Sequence, residues 1–186
     1  MKEGFSIIDS ASKRLIRTVD LILNMSLFQT NSIELSYHRF DLYEKVLKKI
    51  IQEYSSIAEE KGIKFEVIKD TDDCTIDSDN SIVDQIFDNL LNNAVKFTKQ
   101  GTVGIHIFDN ESRQLTVEIY DTGVGISQEY MPNLFKPFSQ EEGGYARRFE
   151  GNGLGLALTK KYCDLTNIII DVYSKKGCGT KVTLKF

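Results

Sequence analysis

The stretch Asn80-Ser81-Ile82-Val83-Asp84-Gln85-Ile86-Phe87-Asp88-Asn89-Leu90-Leu91-Asn92-Asn93-Ala94-Val95-Lys96-Phe97 is the most regular amphipathic run of the chain. It contains no Gly or Pro. At about 100° per residue, Val83, Ile86, Phe87, Leu90 and Ala94 fall on one side of a helix, and Gln85, Asn89, Asn93 and Lys96 form a narrow stripe opposite. A solvated helix face normally carries Glu and Lys, because Asn is a poorer helix former. Amides ending in an ammonium group suit a ligand better: Asn oxygens ligate hard cations such as Mg²⁺, and Lys meets phosphate oxygens. On the helix alone, a plain polar face remains the commoner reading.

Outward from this helix the chain alternates between helices and hairpin-linked strands. Upstream, Leu42–Ala58 is predicted helical and closes at Lys61–Gly62, a cation followed by a C-terminal glycine; Phe65–Ile68 alternates like a short strand. Downstream, strands are expected over Thr102–Phe108 and Gln114–Tyr120, separated by the polar turn Asp109–Arg113. After a glycine-punctuated stretch come helix Leu156–Leu165 and strands Ile168–Tyr173 and Thr180–Lys185. The expected class is α+β: a two-layer sandwich whose mixed, mostly antiparallel sheet is covered on one face by helices. Ahead of it, Phe5–Gln29 reads as one long helix. Ile8, Leu15, Val19, Ile22 and Met25 form one apolar stripe, and Ile16, Leu23 and Leu27 widen it to a breadth suited to a bundle. Thr30–Phe40 is polar and reads as a linker or a short strand.

Two glycine-rich elements carry further signals. Asp121-Thr122-Gly123-Val124-Gly125-Ile126 follows an apolar strand. Its glycines let backbone approach a flat ligand, and its carboxylate can accept from an exocyclic amine. Alone, it reads better as a tight turn in which Asp121 caps its own loop. Gly151-Asn152-Gly153-Leu154-Gly155-Leu156 opens a helix, where exposed N–H groups and the positive end of the dipole suit phosphate. A dinucleotide fingerprint would follow a strand within a βαβ unit; here a long polar segment, Phe135–Glu150, precedes it, so that reading fails.

Composition narrows the classes. The chain of 186 residues is 41% hydrophobic and 27% charged, a globular profile. Its net charge of −4 speaks against nucleic-acid binding. No apolar run approaches the ~20 residues of a membrane helix, so no membrane contact by this stretch is expected. Cys74, Cys163 and Cys178 are odd in number and unpaired in spacing, which predicts free thiols.

Taken together and in order, these elements resemble the catalytic domain of sensor histidine kinases, within the GHKL ATPase superfamily. Asp88–Thr98 looks like its N box, DTGVGI like the first glycine box, Leu134-Phe135-Lys136-Pro137-Phe138 like the F box, GNGLGL like the second glycine box and Gly177-Cys178-Gly179-Thr180 like the final glycine element. The resemblance covers Asp41 to Phe186 and implies the Bergerat-type ATP-binding fold.

The resemblance implies roles residue by residue. Asn93, with Asn89, would hold Mg²⁺ against the triphosphate. Lys96 would contact phosphate oxygens, Phe97 would line the pocket, and Asp121 would accept from the adenine amino group, with Gly125 letting the base slot in. Gly123, Ile126, Phe138 and Thr180 complete the implied nucleotide set. Gly151, Gly153, Leu154, Gly155 and Leu156 would cradle the phosphates, and Arg147 would reach the γ-phosphate; Asn89, Lys96 and Arg147 are the implied catalytic groups. ATP-hydrolysing relatives place a Glu base one turn before the Mg²⁺ asparagine. Asn89 stands there and cannot take a proton from water, so a kinase is preferred to a hydrolase. Asn152 replaces the usual Thr or Ser, and Glu150 the usual Gly.

These kinases carry a phosphoacceptor His beside Glu or Asp on the first helix of a dimerising hairpin. Residues 1–30 look like the second helix of such a hairpin, 31–41 like a linker and 42–186 like the catalytic domain. Neither His38 nor His106 has the acidic neighbour or the helical setting. A fragment of a longer sensor is therefore expected, with ATP or ADP, the histidine-bearing helix and a response regulator receiver domain as partners. A cytoplasmic setting is expected for the catalytic part alone, whether or not the parent sensor is anchored in a membrane. Self-association through the N-terminal helix is favoured over its folding back onto the catalytic part.

Overall fold

In this computed structural model the described residues are 34–141 and 152–186, together with 12, 15, 16, 18–26 and 28. The helix singled out by periodicity, α2 (Asn80–Phe97), begins where Asp79 turns extended and its carboxylate accepts from the N–H groups of Ser81 and Ile82 at 2.9 and 3.2 Å. Its predicted apolar side is buried throughout: Val83, Ile86, Phe87, Leu90 and Ala94 are at most 4% exposed. Each such side chain is worth about 1.5–3 kcal/mol on burial, so packing rather than propensity holds this Asn-rich helix.

Before it lie a π turn (Tyr43–Leu47) running into helix α1 (Lys48–Glu60), strand β2 (Lys64–Lys69) and strand β3 (Thr75–Ser78). After it come β4 (Thr102–Asp109), β5 (Leu115–Asp121), helix α3 (Gly155–Leu165), β6 (Ile169–Lys175) and β7 (Gly179–Lys185). The main sheet has the order β2-β4-β5-β7-β6; β2 runs parallel to β4 and every other pair is antiparallel. Helix α2 packs between α1 and α3 and against β5. The two-layer α+β sandwich expected from the sequence is the observed architecture.

Differences lie where pairing is long-range. Within the stretch expected to be a linker or a short strand, His38–Asp41 forms strand β1 and pairs antiparallel with β3 as a separate two-stranded sheet. Strand β3 was not expected, because Asp72-Asp73-Cys74-Thr75-Ile76-Asp77-Ser78 lacks an apolar alternation. It is held by β1 and by burial of Cys74 and Ile76 (0% and 7% exposed). The Ser36 N–H donates to Asp79 at 2.8 Å, tying this sheet to the start of α2.

Residues 18–26 are helical, as expected, and one face folds back onto the sandwich. Met25 is buried against Leu154 and Ala157, Phe28 packs 5.1 Å from the Tyr162 ring, and the Asn24 amide donates to Gln85 at 3.0 Å. The other face, Leu15, Ile16, Val19, Ile22 and Leu23, is 51–67% exposed. Ile8 and Leu27 lie outside the described residues. Among the described residues no helix is long and apolar enough to cross a membrane.

Candidate functional site

The site forms where the apolar face of the sheet runs out. Across β4, β5, β7 and β6, one rung under the helices is Ile107, Val117, Leu184 and Ile170, and the next is Ile105, Ile119, Val182 and Val172. The third rung is Val103, Asp121, Thr180 and Ser174. Because side chains alternate faces with period two, these three polar groups point to the same side as the core residues above them. A carboxylate and two hydroxyls therefore line the inner end of the sandwich, beneath α2.

Asp121 Oδ1 accepts from the Gly123 N–H at 2.8 Å, and the carboxylate also accepts from the Thr180 backbone N–H. Burial outweighs both bonds and pushes its pKa up to about 6. Asp121 thus caps its own loop, and its position on the inner rung leaves it suited to a ligand as well. The turns around it are possible only for glycine. A Cβ on Gly125, at φ 60°, would overlap the Lys175 carbonyl oxygen, and one on Gly179, at φ 101°, would overlap that of Asp121.

The polar stripe of α2 divides into two parts. Gln85 accepts from the Tyr162 hydroxyl at 2.6 Å as well as from Asn24, so this member is a tertiary tie. Asn89 is buried (6% exposed) and its Oδ1 lies 3.5 Å from where a Cβ of Gly155 would stand, which brings the helix to the start of α3. Asn93, one turn further along, is half-buried. Lys96 Nζ sits 4.5 Å from the centre of the Phe97 ring, and the Phe97 carbonyl accepts from the Val124 N–H at 3.2 Å. Val124 and Gly123, with Phe97, Lys99, Gln100 and Thr122, also line an open cavity of about 410 Å³.

Helix α3 begins at Gly155, Leu154 supplies no side-chain cap, and the positive end of the helix dipole lies at this first turn, beside Asn89. Asn152 Oδ1 accepts from the Leu154 N–H at 3.2 Å, so the substituted glycine-box residue still hydrogen-bonds. The Leu154 side chain is 1% exposed and packs under Met25, and its N–H is taken by Asn152. Phe138 stands apart from the polar rung. At φ 61° its N–H is held by the Gly153 carbonyl at 2.9 Å and its side chain is turned outward, 71% exposed. Arg147 and Gly151 lie outside the described residues. So does most of the segment Ser139 to Asn152, which its glycines and polar composition predict to be mobile without nucleotide.

Ile126 reaches the rung through its backbone, its N–H donating to the Ser174 hydroxyl at 2.8 Å. Sequence reasoning missed Ser174. The two-residue spacing from Ile170 and Val172 marks it as inward-facing, but only the register with Thr180 gives that position meaning. Both histidines lie in strands. His38 Nδ1 is 3.0 Å from the Ser36 carbonyl, and His106 Nε2 is 2.7 Å from Asp70. All three cysteines are free, and burial pushes the Cys163 thiol up to about 12.

Whether these residues fit Mg²⁺ and a nucleotide can be judged from the donors. Asn89 and Asn93 offer neutral oxygens, and no group of three or more His, Cys, Asp or Glu able to hold a metal occurs among the described residues. Such a pair matches a cation that keeps most of its shell as water and phosphate oxygen. The inner carboxylate and the N-terminal end of α3 match the two ends of a nucleotide.

A sheet covered by helices on one face, with an amide-bearing helix over a carboxylate rung and a helix N-terminus beside it, defines a nucleotide-binding α/β sandwich. Residues 78–186 match the family described as histidine kinase-, DNA gyrase B-, and HSP90-like ATPase, and the chain belongs to that family. It is 31% identical over 185 residues to the autoinducer 2 sensor kinase/phosphatase LuxQ of Vibrio parahaemolyticus, covering 96% of this chain and 21% of that protein. The sensor histidine kinase RcsC of Salmonella typhimurium is 30% identical over 178 residues, covering 95% of this chain and 19% of that protein. The crystal structure of full-length ShkA in complex with AMPPNP superposes with a TM-score of 0.79 at 26% identity, covering 92% of this chain and 35% of that one. The chain spans about a fifth of the length of the curated relatives it matches.

Proposed function

We propose that this chain is the ATP-binding catalytic part of a protein-histidine kinase. It binds Mg-ATP and donates the γ-phosphoryl group to a histidine on a separate dimerisation helix, for onward transfer to a response regulator receiver domain. The observation that carries this reading is that Asp121 and Thr180 share the inner rung of the sheet while Asn89, on the helix packed against it, reaches the start of α3. Asp121 accepts from the adenine amino group. Asn89 and Asn93 supply oxygens to Mg²⁺, which neutralises charge on the triphosphate when bound. Lys96 and the first-turn amides of α3 hold phosphate oxygens, and Arg147 is assigned to the γ-phosphate. Catalysis of this kind rests on positioning and charge stabilisation.

Transfer to histidine is favoured over hydrolysis because Asn89 stands where a hydrolase needs a base, and an amide takes no proton from water. The acceptor is assigned to another helix because His38 and His106 are strand residues, each with its ring nitrogen engaged locally. The exposed stripe of residues 15–23 is assigned to a homodimer interface, and the setting to the cytoplasm. The test is incubation with labelled ATP, Mg²⁺ and a separately supplied hairpin that bears the acceptor histidine. Acid-labile, base-stable label on the hairpin alone is expected. Label on His38 or His106, or phosphate release without label on the hairpin, would overturn the reading.

A further inference from the structure

The two sides of the site come from distant stretches of chain. The carboxylate side is built by the loop after β5 and by the β6–β7 turn, and the other side by the start of α3. One short stretch, Phe138 to Glu141, touches both, and Glu141 lies between the F box and the second glycine box and belongs to neither. At the near end the Phe138 N–H donates to the Gly153 carbonyl at 2.9 Å. Gly153, at φ 70°, approaches so closely that a Cβ there would stand 2.6 Å from the Ser139 carbonyl oxygen. At the far end the Glu141 carboxylate accepts twice. Its Oε1 takes the Ser127 N–H at 3.0 Å, directly after the Asp121–Ile126 loop. Its Oε2 takes the Lys176 ammonium at 2.8 Å, in the turn between β6 and β7. Both bonds end on an ionised group, the stronger class of hydrogen bond, and the Glu141 side chain is only 24% exposed.

Loop and turn are already joined to each other: the Gly177 N–H donates to the Val124 carbonyl at 2.8 Å, and the Gln128 amide to the Ser174 carbonyl at 2.9 Å. Glu141 adds what those bonds lack, a link to the second glycine box. Three peptide steps separate it from Phe138, about 10 Å at full extension, so neither end drifts far without breaking a bond at the other. We propose that Glu141 is a positioning residue that fixes the separation between the base-binding and phosphate-binding halves of the nucleotide site. The inference rests on the nucleotide reading given above and adds a residue that acts on neither half alone. A ligand with two joined ends gains over its separate parts only when the two half-sites are held at the matching distance. Loosening Glu141 therefore removes part of that gain and leaves each half able to bind its own fragment.

The test compares binding of Mg-ATP with binding of its parts, adenosine and Mg-tripolyphosphate, by competition against a fluorescent ATP analogue. The product of the two part Kd values, divided by the Kd of ATP, is an effective molarity. Glu141→Ala is expected to lower it by about tenfold, the scale of one charge-assisted hydrogen bond, with each part bound within about twofold of wild type. Glu141→Gln keeps an oxygen for the Ser127 N–H and is expected to fall between the two. Lys176→Met removes one bond and is expected to lower the effective molarity by about threefold, and to lower it no further when added to Glu141→Ala. A merely structural role would weaken one part by the same factor as ATP and leave the effective molarity unmoved. An unmoved effective molarity in Glu141→Ala, or a further drop on adding Lys176→Met to it, overturns the inference while the ATP site stands. If Glu141→Ala does not fold, Lys176→Met decides, and a wild-type effective molarity there overturns it. A wild-type chain that does not bind Mg-ATP overturns the proposed function and this inference together.

Discussion

Acidification should act on this protein in two opposite directions through Asp121. Burial raises that carboxyl from an ordinary 3.8 to about 6, against the lowering effect of the Gly123 and Thr180 N–H groups. That difference corresponds to about 3 kcal/mol of preference for the protonated form in the folded state. A carboxyl whose folded pKa is raised adds stability that is fully present below about pH 4 and is lost as the pH rises through about 6. The nucleotide-free domain should therefore gain stability from this group as the pH falls from 7 toward 4. Nucleotide binding should do the reverse, because the proposed adenine contact needs the ionised acceptor. With a pKa near 6, about half the sites are competent at pH 6 and about a tenth at pH 5. Affinity should then fall about twofold and about tenfold from its plateau. The assay is calorimetric titration with Mg-ATP across this range, in buffers of different ionisation enthalpy so that proton release near pH 6 is counted directly. Asp121→Asn, measured in parallel, cancels the titration of the nucleotide itself and should bind weakly with a flatter pH profile. Equal ATP affinity at pH 7 and 5, or an Asp121→Asn profile as steep as wild type, would refute the reasoning.

Three further outcomes follow from the geometry. Gly125→Ala places a Cβ on the Lys175 carbonyl oxygen at a φ of 60°, and should cost at least about 2 kcal/mol, seen as a melting temperature lower by roughly 5 °C or more. Asn89→Glu installs a carboxylate base one turn before Asn93 and should raise phosphate release from ATP by about a hundredfold, measured by coupled assay; an unchanged rate would remove the argument that sets kinase above hydrolase. Deleting residues 1–30 removes the exposed stripe from Leu15 to Leu23 and should convert a self-associating chain into a monomer that still binds ATP. Sedimentation that finds the intact chain already monomeric would defeat that expectation.

The sequence by itself determined the features that are local in the chain. Helix α2 was legible because its period is written in consecutive residues. Asp121, Gly125 and Asn152 were legible because short turns demand particular side chains within a few positions. The stripe that holds Asn89 was legible as a pattern, but its residue types and spacing alone favoured a plain polar face, and only the ordered set of motifs assigned it a role. Tertiary structure decided what depends on residues far apart. Gln85 reads like Asn89 on a helical wheel, yet lies under Tyr162 and Asn24, 77 and 61 positions away, and becomes a tie. Strand β3 exists because β1 pairs with it; its own residues carry too little apolar alternation to predict it. The N-terminal helix has one broad apolar face in the sequence, and only packing splits it into a half that covers Leu154 and a half left open. Ser174 shows the limit most clearly. A serine two places after a valine in a strand carries no signal of its own, and its meaning comes from strand register, which brings Thr180 and then Asp121 alongside it. Periodicity is a property of neighbours in the chain, whereas register is settled by the packing of the whole sheet against its helices.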